Sequence, residues 1–114
     1  MTSKELLKLR NKILCFDIDG TITQDKVITN FKETTIGDHA HWFSEALPNN
    51  KMISLVNKLA KNNQIILYTT RNDFHRELTI KWLKENGVKY DFLIFNKPFY
   101  DYIIDDKAIN AEDL

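Results

Sequence analysis

Reactive side chains recur at the ends of short apolar runs. Asp17 and Asp19 follow residues 13–16, Thr69, Thr70 and Arg71 follow 65–68, Lys97 follows 92–95, and Asp105 and Asp106 follow 102–104. Several carboxylates at one edge repel each other unless a cation neutralises them. Hard oxygen ligands with open positions suit Mg2+, which keeps waters and accepts substrate phosphate. Lys97 can meet a phosphate as a point charge, and the Thr69 hydroxyl can donate to a phosphoryl oxygen. Backbone N–H groups in the tight turn Asp17-Ile-Asp-Gly20 form an anion-binding nest. Together these groups suit phosphoryl transfer. Asp17, first after its run, is the natural nucleophile for an aspartyl-phosphate. Asp19, two residues on, can act as general acid and then as base.

The elements that must position these groups are legible from periodicity. Thr2 and Glu5 have capping-box spacing before the apolar stripe of Leu6, Leu7 and Leu9. Residues 13–16, 65–68, 92–95 and 102–104 have strand length. Met52, Ile53, Leu55, Val56 and Leu59 follow helical spacing. A second helix is expected from Asp73 to Asn86, with Phe74, Leu78 and Trp82 on one stripe and Gly87 as its stop. Strands separated by helices of this length imply an α/β fold: a three-layer, Rossmann-like parallel sheet with helices on both faces and no large cap domain. Ligands of such sheets bind beyond the carboxyl ends of the strands, where all four reactive groups fall. Residues 22–49 read as a short flap, with a helix at about 38–47 stopped by Pro48.

Composition bounds the function classes. The 114 residues make one domain, 1–114, and 43% hydrophobic against 28% charged residues excludes disorder for most of it. Sixteen acidic and sixteen basic residues give a net charge of zero, which argues against a broad basic face for nucleic acid. No apolar run approaches the ~20 residues that span a bilayer, so no membrane partner is expected. The single cysteine, Cys15, fits a reducing compartment, and it is expected as a small buried residue of the first strand. The opening residues read as an amphipathic stretch and not as a signal-peptide core, so the expected location is cytoplasmic.

Phe16-Asp17-Ile-Asp19-Gly-Thr21 resembles the DxDGT signature of the haloacid dehalogenase-like phosphohydrolases. Thr69 resembles their second motif, Lys97 the third, and Ile104-Asp105-Asp106 the acidic fourth. The likeness runs over about residues 13–110. Leu67-Tyr-Thr-Thr-Arg71, Trp82-Leu83 and the stretch from Lys97 to Ile109 look like a small cap-less subgroup described as phosphatases of capsule or surface-polysaccharide biosynthesis. The resemblance implies a Mg2+-dependent phosphatase of a small phosphorylated substrate, with Asp17 as nucleophile and metal ligand. Asp19 would be acid/base and offer its carbonyl to Mg2+, Asp106 would be a direct ligand and Asp105 its neighbour. The phosphoryl group would lie against Ile18, Asp19, Thr69, Thr70 and Lys97. A dimer or tetramer using residues 22–49 would complete an open site.

Other readings stay open at this stage. Arg71 could bind a second substrate charge or form a salt bridge to Asp73 or Glu77. His39 and His41 are more simply surface residues than metal ligands. Trp42 and Phe43 are expected to pack the flap onto the body, and Phe99 and Tyr100 to touch substrate or pack. The whole could be a nucleotide or nucleic-acid-end phosphatase, or a non-catalytic phosphate- or metal-binding accessory module. A receiver domain shares the Asp, Thr and Lys chemistry, but the Asp-x-Asp-Gly-Thr order and the late acidic pair fit it poorly.

Overall fold

A computed structural model of the protein describes residues 1–24 and 36–114. Thr2 caps a one-turn helix α1 (Ser3–Leu6), and both halves of the expected capping box are made with Glu5. Three strands follow, β1 (Ile13–Phe16), β2 (Gln64–Tyr68) and β3 (Phe92–Ile94). They form one parallel sheet in the order β1-β2-β3, with Leu14 opposite Ile65 and Leu67 opposite Leu93. The flap contains α2 (Ile36–Ser44), and the two crossovers contain α3 (Asn50–Leu59) and α4 (Arg76–Glu85). Val27, Ile28 and Phe31 of the expected flap lie outside the described residues. The α/β class and the Rossmann-like parallel sheet expected from the sequence are present, with no large cap domain among the described residues.

Both crossovers step in the same direction across the sheet. Right-handed connections therefore place α3 and α4 on the same face. That face holds the core: Phe16, Ile65 and Leu67 of the sheet pack with Met52, Val56 and Leu59 of α3 and Trp82 and Leu83 of α4. Opposite side chains alternate away from it. Ile13 is 67% exposed, Phe92 and Ile94 are exposed, and so is Cys15, contrary to its expected burial. Strand alternation puts Cys15 on the face that α3 and α4 do not cover, so the two crossover helices lie on one face of the sheet and not on both as expected.

Local chemistry sets the element ends. The Asn49 side chain accepts from the Met52 N–H and starts α3. Asn72, one residue before the expected Asp73, caps a single turn at Asp73–His75 that leads into α4. Phe74 lies in that turn and is exposed, so it leaves the expected stripe, whereas Trp82 is buried and donates its indole N–H to the Ala46 carbonyl at 2.9 Å. Gly87 takes φ 66°, the left-handed conformation expected of a helix stop. Buried Asn63 donates to the Leu9 and Leu59 carbonyls and accepts from the Lys12 N–H, tying the entry of β1 to the end of α3.

The expected fourth strand does not form. Tyr102 is 89% and Ile104 99% exposed, and the chain from 95 to 110 is irregular. An apolar triplet becomes a strand only where a neighbouring backbone pairs with it, and here it stands in solvent beyond Pro98. No helix among the described residues is long and apolar enough to cross a membrane.

Ile18 sits between the two candidate catalytic aspartates and is fully buried. Ile18→Ala should destabilise the chain by about 2–4 kcal/mol, read as a lower urea midpoint at an unchanged m-value.

Candidate active site

The turn after β1 is organised by its apolar residues. Ile18 and Ile22 are both fully buried. Ile18 points into the core, and Asp17 and Asp19 flank it as half-buried residues. The Thr23 N–H closes the turn on the Ile18 carbonyl at 3.0 Å, and the Gly20 N–H donates to the Thr23 hydroxyl at 3.1 Å. Gly20 has φ 84°, a conformation a side chain would strain. The turn is then stitched to the start of α3: the Asn49 N–H donates to the Ile22 carbonyl, and the Gln24 N–H to the Leu47 carbonyl.

The loops after β2 and β3 run alongside one another. The Lys97 N–H donates to the Thr69 carbonyl and the Asn96 N–H to the Arg71 carbonyl, both at 2.9 Å. Asn96 reaches this position with φ 62°, which Asn tolerates better than most residues. The Lys97 ammonium is flanked by the rings of Tyr68 and Tyr100, 5.4 and 5.2 Å from their centroids. Thr69 is fully buried, and its hydroxyl accepts from the Arg71 N–H at 3.1 Å. An accepting hydroxyl keeps its own proton to donate.

Arg71 has neither of its expected partners. Its Nε and terminal nitrogen grip the Asp19 carboxylate at 2.8 and 2.7 Å, and its other terminal nitrogen donates to the Thr79 hydroxyl at 3.0 Å. The guanidinium is fully buried, so it does not face a substrate phosphate. Asp73 pairs with Arg76 instead. The guanidinium carbon lies over the Phe43 ring of α2, 4.1 Å from its centroid, which seats the flap helix on the body as expected. His75 packs edge-on against Phe43 at 5.1 Å and lies 6.3 Å from the His39 ring. Burial, His39 and Arg71 hold His75 below its usual range. The Phe43 stack and the Thr79 bond were not legible in the sequence. Thr79 lies eight residues beyond Arg71, a spacing with no motif attached to it.

Asp17 carries the largest electrostatic signal. Burial pushes its carboxyl up to about 6, with Asp19 adding to the rise. Lys97, the Ile18 N–H and Arg71 oppose the shift. Lys97 and Asp19 are thus close enough to Asp17 to act on it, and the structure brings Asp17, Ile18, Asp19, Thr69 and Lys97 to one sheet edge, with Thr70 between Thr69 and Arg71. A carboxylate titrating near neutrality beside a cation is a mark of functional sites.

Asp105 and Asp106 are not brought there. Without the fourth strand they lie exposed, Asp105 accepting from the Lys107 N–H at 2.8 Å in a local turn. That bond, with Asp106, holds the Asp105 carboxyl below its ordinary value. Among the described residues no three His, Cys, Asp or Glu side chains are gathered as a metal cluster. The Arg71 clamp takes the Asp19 side chain and leaves the backbone carbonyl expected to meet Mg2+; it is the exposed Asp105 and Asp106 that do not join Asp17 in the expected Mg2+ ligand set.

No family model matches the sequence, and no curated protein matches it. Among solved structures, the crystal structure of an MCSG target from Vibrio cholerae is similar over 89% of this chain and 85% of that one, at 25% identity and a TM-score of 0.65. A chain of the Pnkp1/Rnl/Hen1 RNA repair complex is similar over 82% of this chain but only 27% of its own length, at 23% identity and a TM-score of 0.56. In a second structure of that complex the shares are 87% and 32%, at the same identity and score. These likenesses are to the α/β fold.

The raised Asp17 carboxyl has a consequence for stability. The folded chain binds this proton more tightly than the unfolded chain, whose carboxyl keeps its ordinary value of 3.8. The stabilisation is complete below that value and is lost as pH rises through about 6. Asp17→Asn should remove this loss and be more stable than the parent at pH 8 by about 1–3 kcal/mol. Urea unfolding from pH 4 to 8 in EDTA buffer checks this, and parallel pH profiles for the two proteins would contradict it.

Proposed function

We propose that this chain is a phosphatase of the haloacid dehalogenase-like kind, acting on a small phosphorylated metabolite such as a sugar phosphate of surface-polysaccharide synthesis. The observation that supports it most is Asp17: a carboxyl pushed up to about 6, at the end of β1, in the field of Lys97 and beside a clamped Asp19. An Asp17 oxygen attacks phosphorus while the ester P–O bond breaks. The departing oxygen takes a proton from Asp19, and the product is a phospho-aspartyl enzyme. Asp19, now a base, takes a proton from water, whose oxygen attacks phosphorus and releases phosphate and free Asp17. Lys97 offsets charge on the phosphoryl oxygens, whereas Thr69, as fully buried as Arg71, does not face them. No step is routed through Mg2+, because the acidic pair stands apart from Asp17.

The fold-level likeness to chains of an RNA repair complex makes a nucleic-acid end the second substrate to try, against which the zero net charge weighs. The assay is phosphate release from sugar phosphates, nucleoside monophosphates, p-nitrophenyl phosphate and a 3′-phosphorylated oligonucleotide, with Mg2+ and with EDTA. Release is expected from a small ester, and Asp17→Asn should lose it by on the order of 10³-fold or more while remaining folded. Activity retained in Asp17→Asn would sink the mechanism. Phosphate binding without turnover of any substrate would favour the accessory-module reading. Release that stops in EDTA would require Asp105 and Asp106 to be carried to Asp17, whereas release that persists would agree with their exposed position.

A further inference from the structure

Asp19 is useful as an acid and base only if its carboxylate stands in one place over Asp17. Nothing in a surface turn enforces that, since an aspartate side chain rotates about two bonds. Here both oxygens are held by one planar guanidinium, at 2.7 and 2.8 Å. A two-point grip from a rigid fork fixes the plane and direction of the carboxylate, as a single ammonium cannot. The fork is itself fixed. The Thr79 hydroxyl takes its third nitrogen at 3.0 Å, and the Phe43 ring covers it at 4.1 Å. Arg71 is 1% exposed and Phe43 5%, so both contacts are dry.

We infer that Arg71 is the positioning residue of Asp19, and that Phe43 makes that position depend on the seating of the flap helix α2. The chain of contact is continuous: α2 through Phe43, β2's exit loop through Arg71, β1's exit turn through Asp19. Arg71 itself does not contact substrate. The inference rests on the phosphatase reading and specifies which residue of that site sets its acid/base geometry.

The test separates proton transfer from binding by leaving group. p-Nitrophenolate departs without a proton, whereas an alkoxide needs one. Arg71→Gln, Arg71→Lys and Phe43→Leu are compared on p-nitrophenyl phosphate and on the best alkyl phosphate of the panel. Misplacing a catalytic group by about 1 Å costs about 10²-fold. In kcat/KM, which reports transfer to Asp17, Arg71→Gln should therefore lose about 10²-fold on the alkyl ester and under about 10-fold on the nitrophenyl ester, whereas kcat falls on both because Asp19 also activates the water that releases phosphate. Arg71→Lys, with the charge but not the fork, should resemble Arg71→Gln. Phe43→Leu leaves the ion pair in place and serves if the arginine variants do not fold; it should show the same selectivity at about 3–10-fold. Equal loss of kcat/KM on both esters, or kcat/KM kept on the alkyl ester, would overturn the inference while leaving the phosphatase reading intact. A parent protein inactive on every ester would overturn the phosphatase reading, and the inference with it.

Discussion

The ion pair between Arg71 and Asp19 is the constraint from which the site is built. Both side chains are nearly out of water, with Arg71 0% and Asp19 6% exposed. Removing charges from water is costly, and their attraction offsets this only when the remaining donors are also used. All three guanidinium nitrogens are used here, by Asp19 and Thr79, and no described buried side-chain nitrogen or oxygen lacks a partner. Losing either partner of such a pair costs about 3–5 kcal/mol, because the survivor is left buried and charged. The exit turn of β1, the exit loop of β2 and the first half of α4 are thus fixed to one another by a single side chain.

Around that pair, apolar burial decides which way the polar groups face. Ile18 and Ile22 are drawn into the core beneath the sheet edge, and the aspartates on either side of Ile18 are held at that edge, Asp19 against Arg71. The same core sinks Thr69 and Arg71 at the end of β2, a strand whose Ile65 and Leu67 are fully buried. Hydrogen bonds between the loops after β2 and β3 then bring Lys97 into the field of Asp17. Hydrophobic contacts set the directions, and the backbone bonds set the spacing.

The electrostatics of the edge follow from unequal treatment of its two aspartates. Asp19 faces a dedicated arginine. Asp17 faces a lysine shared with two tyrosine rings, with smaller help from the Ile18 N–H and Arg71, and burial dominates, holding its carboxyl well above its ordinary value. The acidic pair at 105–106 takes no part in this balance, since it lies in solvent with the apolar triplet before it.

The sequence by itself determined the parallel α/β class, the three strands of the sheet and the turn that presents Asp17 and Asp19. Each of these depends on neighbours in the chain: apolar runs of strand length, helical spacing from Met52 to Leu59, and a glycine at the one position of the turn with φ 84°. It also pointed to Lys97 and Thr69, because the ends of parallel strands share one edge. The partner of Arg71 was decided only in three dimensions. Asp73 and Glu77 are near it in sequence, but the sheet brings Asp19, 52 residues away, to 2.7 Å. The fate of residues 102–104 was likewise outside the sequence pattern. A run of Tyr-Ile-Ile records only a capacity to pair, and whether it becomes a strand that carries Asp105 and Asp106 to the site depends on whether another backbone meets it.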